Sequence, residues 1–557
     1  MRRSLLLSLL IIVGACSELP KSDDPEILEG LPDMHSIADS LNRINAQSIK
    51  WSVDFKTDSI LYAAQKKIDW KREFQAFLKD NVNRLRFKDA YHISDSVSGN
   101  TRFVSFKAQT NKQEVKSVEM RIQGGKLAFY KILKERNNLF SISRHTFLFD
   151  QAHYQLEIEQ SIRGVFENKQ FVYGNIMPAG GVWRGVLMMN NEKLPVSFSL
   201  NEDEMILKNG AERIIFEKPS SLNDSSVYHS AYFKSHFVFD VVDSTKIKGH
   251  WINEKHDETR IMGFEAIKDV AYRFKAHTLP NQNLSGEHGI FFYNEDDKIA
   301  DSALMVLDQI HHLVHGSILT STGDYRYLEG VIRNDSLLLS TMDGTHGYLF
   351  KGGIESDMIK GWFYAGQSWS QKWKANLNKP VKLTDPEQMT QIKEGERFSF
   401  SFPDKNGKIW SLDDPYFQGK VTLVSIMGTW CSNCLDETRF LKEIAESFPE
   451  EKIAIVALDF ELVSDSAKAI SNINRYVSNL DLNFPVLLAA LNTSKEKATN
   501  ALPSLNAIYS YPTLIILDQN HDAVRIHTGF SGPATGFNYY EVFKTRYYEL
   551  VDSLITN

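Results

Sequence analysis

The residues best placed to do chemistry are two thiols three positions apart, Cys431 and Cys434. A short apolar run, Val421 to Met427, leads through Trp430 into them. Leu435, Phe440, Leu441, Ile444, Ala445 and Phe448 then recur at the spacing of one helix face. This pattern predicts a strand that delivers both thiols to the first turn of a helix. The unpaired N–H groups and partial positive charge there favour thiolate over thiol and lower the cysteine pKa. Cys431 is therefore expected to attack a disulfide in a partner, and Cys434 to resolve the mixed disulfide. The alternatives are two small core residues or half of a metal site.

Cysteine count narrows these alternatives. The whole chain has three cysteines, Cys16, Cys431 and Cys434, so no thiols remain for a structural disulfide or a four-thiolate zinc site. Glu437 follows Cys434 by three residues, a neighbouring position on the same predicted helix. An acidic residue near a helix start is also favoured by the helix dipole alone. Further on, Tyr511-Pro512-Thr513 opens an apolar run, Leu514 to Leu517, that reads as a strand.

These residues carry a resemblance. From about Ile392 to Asn557, roughly the last third of the chain, the sequence resembles TlpA/ResA-type thiol-disulfide oxidoreductases of the thioredoxin superfamily. The resemblance implies an α/β thioredoxin fold, redox-active Cys431 and Cys434, and a cis Pro512 packed against them. It also implies that Trp430, Tyr511 and Pro512 shape the substrate groove, and that Glu437 handles a proton for Cys434. It implies no organic cofactor and no metal. The sequence departs from the family at Ser425, where a buried aspartate is typical, at Met427, where an aromatic is common, and at Asn433, where proline is frequent. Glu437 is then the one strong acid expected near the thiols.

The N-terminus has its own signal. Arg2 and Arg3 precede an apolar run, Leu5 to Val13, too short for a stable membrane span, and Gly14-Ala15 supplies small residues before Cys16. This looks like a bacterial lipoprotein signal. It implies removal of residues 1–15 and lipid attachment at Cys16, so that the protein is anchored to a membrane rather than spanning it. Residues 16–31, with Lys21, Asp23, Asp24, Pro20 and Pro25, read as a solvated tether. Loss of Arg2 and Arg3 lowers the formal net charge from −7 by two, to −9, which argues against a nucleic-acid surface. At 557 residues, 42% hydrophobic and 24% charged, the chain should fold into several domains.

Between tether and redox module the expected order is an α+β domain at 32–178, a β-rich region at 179–379 and a linker at 380–395. The module itself takes 396–557. In the first domain, Ile37, Ala38, Leu41 and Ile44 predict one helix. Trp70, Phe74, Phe77, Leu78 and Val82 predict a second, and alternating strand segments follow. The β-rich region is expected to be a duplicated all-β unit, two small barrels or sandwiches or one larger sheet structure, because Ile247-Lys248-Gly249-His250-Trp251 is matched by Ile359-Lys360-Gly361-Trp362-Phe363. His311, His312 and His315 read as strand residues that do not converge on a metal.

The expected function is a lipid-anchored extracytoplasmic protein-disulfide reductase, facing the periplasm or the surface of a bacterial envelope. Its partners would be a disulfide-containing protein and a membrane-embedded electron donor. Two rivals remain: an envelope scaffold lipoprotein with an accessory redox module, and a thiol peroxidase.

Overall fold

The computed structural model describes residues 25–556 except 66–67, 99–100, 151, 163–165, 178–179, 190 and 219–225. The lipidation candidate Cys16 lies outside the described residues.

The N-terminal unit is a nine-stranded antiparallel sheet, from Gln47–Asp54 to Phe166–Met177, packed on the helix Met34–Arg43. Asp33 caps that helix by accepting from Ser36 N at 2.8 Å, and Met34, Ile37, Ala38 and Leu41 face the core. The second expected helix is only one turn, Trp70–Glu73. Phe74, Phe77 and Val82 are buried all the same. Phe74 and Phe77 pack on Phe147 with ring centroids 4.9 and 5.3 Å apart, so a turning chain laid along the sheet satisfies what the spacing had suggested a helix would bury. The tether also differs from expectation between residues 25 and 31. Asn83 exchanges two hydrogen bonds with the Leu28 backbone, at 2.9 and 2.7 Å, and Leu31 joins the core, because Ile27, Leu28 and Leu31 offer apolar surface that burial favours.

The β-rich region forms two bodies. Eight strands from Val182–Met188 to Arg260–Lys268 close into a barrel filled by Phe198, Phe237, Trp251 and Phe264. Nine strands from Gly286–Tyr293 to Trp369–Asn376 make a second antiparallel body, in which Ile299–Ile310 also pairs with Leu313–Thr320. The repeated Ile-Lys-Gly falls in Lys246–Asn253 of one and Met358–Ala365 of the other. In each copy the isoleucine is buried, and the glycine lies against the neighbouring strand. A Cβ there would meet Val238 O at 2.0 Å or Lys351 O at 1.8 Å.

His311 and His312 form the turn between the strands Ile299–Ile310 and Leu313–Thr320 rather than lying in a strand, with His311 at φ 56°. They fill the seam against the N-terminal sheet. Tyr62 Oη lies 3.0 Å from His312 Nε2, and the His315 ring is 5.9 Å from His153.

The C-terminal module has a five-stranded central sheet. Its elements, numbered from its own start, are β1 (Val421–Met427), α1 (Ser432–Ser447), β2 (Ile453–Phe460), α2 (Ser466–Leu480), β3 (Val486–Ala490), α3 (Lys495–Ala501), β4 (Thr513–Leu517), β5 (Ala523–Thr528) and α4 (Val542–Thr556). The sheet order is β3-β2-β1-β4-β5, with β1, β2 and β3 parallel and β4 antiparallel to β1. Every residue of β1 and β2 is buried, as continuous apolar strands covered on both faces require. A small hairpin, Ser401–Pro403 with Ile409–Ser411, precedes them. The expected linker is docked on this module: Thr390 N donates to Thr528 Oγ1 at 3.1 Å, and Glu387 Oε1 lies 3.1 Å from Arg546. Its polar side chains find fixed partners along β5 and α4, which is why it does not run free.

Candidate active site

β1 ends at Met427, and the chain turns through Gly428-Thr429-Trp430 to Cys431, the N-cap of α1. At that position the sulfur, not an oxygen, takes the orphan donor of the helix turn: Cys434 N–H points at Cys431 Sγ at 3.1 Å. The two cysteines are joined as a disulfide, Cα to Cα 5.2 Å, so this is the oxidised form. Cys434 is fully buried and Cys431 is 6% exposed, which makes Cys431 the outer sulfur. The Tyr511–Pro512 bond is cis, and the Tyr511 carbonyl oxygen lies 3.6 Å from Cys431 Sγ. Trp430 stands edge-on to Tyr511 with centroids 5.6 Å apart, and its indole N–H donates to Phe460 O at 2.9 Å. The fold thus brings Trp430, Cys431, Cys434, Tyr511 and Pro512 together.

Glu437 lies on the inner face of α1 and is fully buried. The Ser425 hydroxyl of β1 donates to its Oε2 at 2.5 Å, while Oε1 has no partner among the described residues. Burial raises the carboxyl to about 8, only partly offset by the Ser425 hydrogen bond. Such a group exchanges protons in the range where thiols do. Ser425 does not leave a gap in the core. It holds the acid that approaches from the helix instead of from the strand.

The expectation that Glu437 is the one strong acid near the thiols is corrected by β2. Its last residues place Asp459 and, just beyond, Glu461 under the turn that carries Trp430. Thr429 N–H donates to Asp459 Oδ1 at 3.0 Å, Thr429 Oγ1 donates to Glu461, and Asn472 Nδ2 donates to Glu461 Oε2 at 3.2 Å. Burial, and then repulsion between the two acids, hold Asp459 well above the usual carboxylate range, and burial raises Glu461 as well. The signal was present in the sequence: Asp459 and Glu461 flank Phe460 at the end of a strand with no other charge.

The site is also covered by the β-bodies. A strap, residues 322–326, crosses from the second body onto α1. Ser510 Oγ donates to Thr322 O at 3.0 Å, and Asn433 Nδ2 donates to Asp324 O at 3.2 Å. Gly532 N donates to Asp324 Oδ2 at 2.6 Å. Arg326 is buried and donates to Ser432 O at 2.7 Å, to the Asp436 carboxylate and to Glu212 of the barrel. Phe233, from the barrel, belongs to the same buried cluster as Cys431 and Cys434. Nothing in the local pattern around the cysteines signals this cover, because its residues lie more than a hundred positions upstream.

The Redoxin family model matches residues 393–540. Thioredoxin-like protein YneN of Bacillus subtilis is 31% identical over 139 residues, 25% of this chain and 73% of that protein. Thiol-disulfide oxidoreductase ResA of Bacillus cereus is 28% identical over 142 residues, 26% of this chain and 72% of that protein. A thiol:disulfide interchange protein of Chlorobium tepidum, known from a crystal structure, matches 30% of this chain and 99% of its own, at 16% identity and a TM-score of 0.22. With a C-x-x-C at the N-cap of α1 beside a cis-proline, the chain belongs, through its C-terminal module, to the thioredoxin-like thiol-disulfide oxidoreductases.

Proposed function

We propose that this protein is an extracytoplasmic reductase of protein disulfides, lipid-anchored through Cys16 to a bacterial envelope membrane. The observation that carries the redox reading is the N-cap position of Cys431, where the Cys434 N–H at 3.1 Å stabilises negative charge on the outer sulfur. In the reduced enzyme the Cys431 thiolate attacks one sulfur of a substrate disulfide and expels the other as a thiolate, forming a mixed disulfide. Cys434 gives its proton to the ionised form of Glu437 and attacks Cys431 Sγ. The second substrate sulfur leaves and is protonated. Two electrons pass to the substrate, and the enzyme is left as the Cys431–Cys434 disulfide. A membrane-embedded dithiol protein would return it to the reduced form.

Trp430, Tyr511 and Pro512 form the groove beside the outer sulfur, and the chemistry needs only the two thiols and a proton acceptor. Units 32–178, 179–379 and 396–557 are proposed as the domains, with the β-bodies governing access. The test is Cys434→Ser, which should accumulate a mixed disulfide between Cys431 and a secreted or envelope protein. If only adducts of low-molecular-weight thiols form, with no protein trapped, the protein-disulfide reading fails. Palmitate labelling that persists in Cys16→Ala would remove the anchor assignment.

A further inference from the structure

A cavity of about 780 Å³ lies between the barrel and the second β-body. Its volume is that of a small-molecule site. Two of its lining residues, Trp251 and Thr345, are each 3% exposed, yet Trp251 Nε1 and Thr345 Oγ1 have no hydrogen-bond partner among the described residues. Both atoms are closed to solvent, so the groups that can meet a ligand are the others on the cavity wall.

Lys255 adds charge to the same wall. Its Nζ lies 2.8 Å from His346 Nε2, and His346 Nδ1 lies 3.1 Å from Asp343 Oδ2. Asp343 accepts from Nδ1–H in the tautomer this arrangement requires, so Nε2 accepts from the ammonium. The nearest carboxylate therefore stands one imidazole away from a mostly buried cation, and burial lowers Lys255 to about 8. An anionic oxygen in the cavity would meet Lys255 directly. Arg260 adds a second cation and Asp324 a carboxylate to the lining, and aromatic rings supply much of the rest: Tyr325 and Tyr348 have centroids 5.4 Å apart, and Trp369 is half exposed.

We propose that this cavity binds a small organic carboxylate with a planar apolar body, its carboxylate held by Lys255 and its body packed on Tyr325, Tyr348 and Trp369. The site shares a wall with the redox centre. Asp324 and Tyr325 line the cavity, and the Asp324 carbonyl accepts from Asn433 between the two cysteines. Occupancy therefore bears on the strap, and ligand binding alters how fast Cys431 reacts.

Calorimetric titration of the full chain with naphthylacetate and phenylpropionate, and with their neutral amides, tests the assignment. Saturable binding of at least one acid is expected, about tenfold or more tighter than its amide, and weakened about tenfold by Lys255→Gln. Trp369→Ala, at an exposed position that should not disturb folding, is expected to weaken both acids as well. Absence of saturable binding by either acid, equal binding of acid and amide, or binding unchanged in both variants overturns the site. With the bound acid present, alkylation of reduced Cys431 should change in rate by about twofold or more; an unchanged rate overturns the link to the strap.

Discussion

The Arg326 guanidinium donates at 2.7 Å to the main-chain carbonyl of Ser432, the residue between Cys431 and the rest of the C-x-x-C. The same side chain reaches Asp436 on α1 and Glu212 on the barrel, so one buried cation ties three bodies together at the reactive helix.

Removing that cation leaves two buried acids without their main counter-charge, Asp436 with only the more distant Arg439 at 3.5 Å and Glu212 with only the Asn209 amide. Arg326→Ala should lose about 3–5 kcal/mol of stability in urea unfolding. It should also free the strap, so that iodoacetamide modifies reduced Cys431 faster than in wild type. Alkylation at the wild-type rate in a folded variant would mean that the strap does not limit access.

Glu437 has a pH signature with a definite sign. Its carboxyl ionises near 4.5 in the unfolded chain and near 8 in the folded one, so the native state binds the extra proton between those values. Its contribution to stability is complete below 4.5 and is lost as pH rises toward 8. Glu437→Gln, which cannot ionise, should therefore gain stability over wild type across that interval, on the order of a few kcal/mol at pH 8. Its disulfide exchange should slow by about a hundredfold and lose the pH dependence centred near 8, measured by insulin reduction from pH 6 to 9.5.

Asp459 should be replaceable by its neutral isostere. Asp459→Asn retains an acceptor for Thr429 N–H and removes the repulsion with Glu461, so its thermal midpoint at neutral pH should equal or exceed that of wild type. Asp459→Ala leaves that N–H buried and unpaired, and should cost about 1–3 kcal/mol.

Buried histidines set the acid limit. Burial lowers His315 to about 4 and His527 to about 4, whereas the unfolded chain takes up these protons near 6.5. The unfolded state binds more protons in between. Stability is therefore full above 6.5, falls as pH drops from 6.5 to about 4, and loses roughly 3 kcal/mol for each such histidine. Thermal midpoints from pH 7.5 to 4 should show the decline, and His315→Asn should flatten part of it.

Much of the redox centre could be read from the chain itself, because its parts are local. A continuous apolar strand, a C-x-x-C at the following turn and an amphipathic helix place the sulfurs by backbone geometry within about twenty residues. The Ile-Lys-Gly repeat was legible for the same reason: its glycine answers to one neighbouring strand. The short helix at Trp70 was not, since burial against Phe147 can be met by more than one backbone path. Asp459 and Glu461 escaped notice because only the parallel pairing of β1 with β2 sets them beneath Thr429.

The sequence by itself determined that Cys431 and Cys434 stand where a buried strand turns into a helix and that Ile-Lys-Gly recurs in two strands of a β-rich region, since each follows from periodicity and spacing over a few residues. Tertiary structure alone decided that Arg326, Asp324 and Phe233 cover those sulfurs and that Trp251, Thr345 and Lys255 share one cavity. These are meetings of residues far apart in the chain, fixed by how separately folded bodies pack, and no local pattern encodes them.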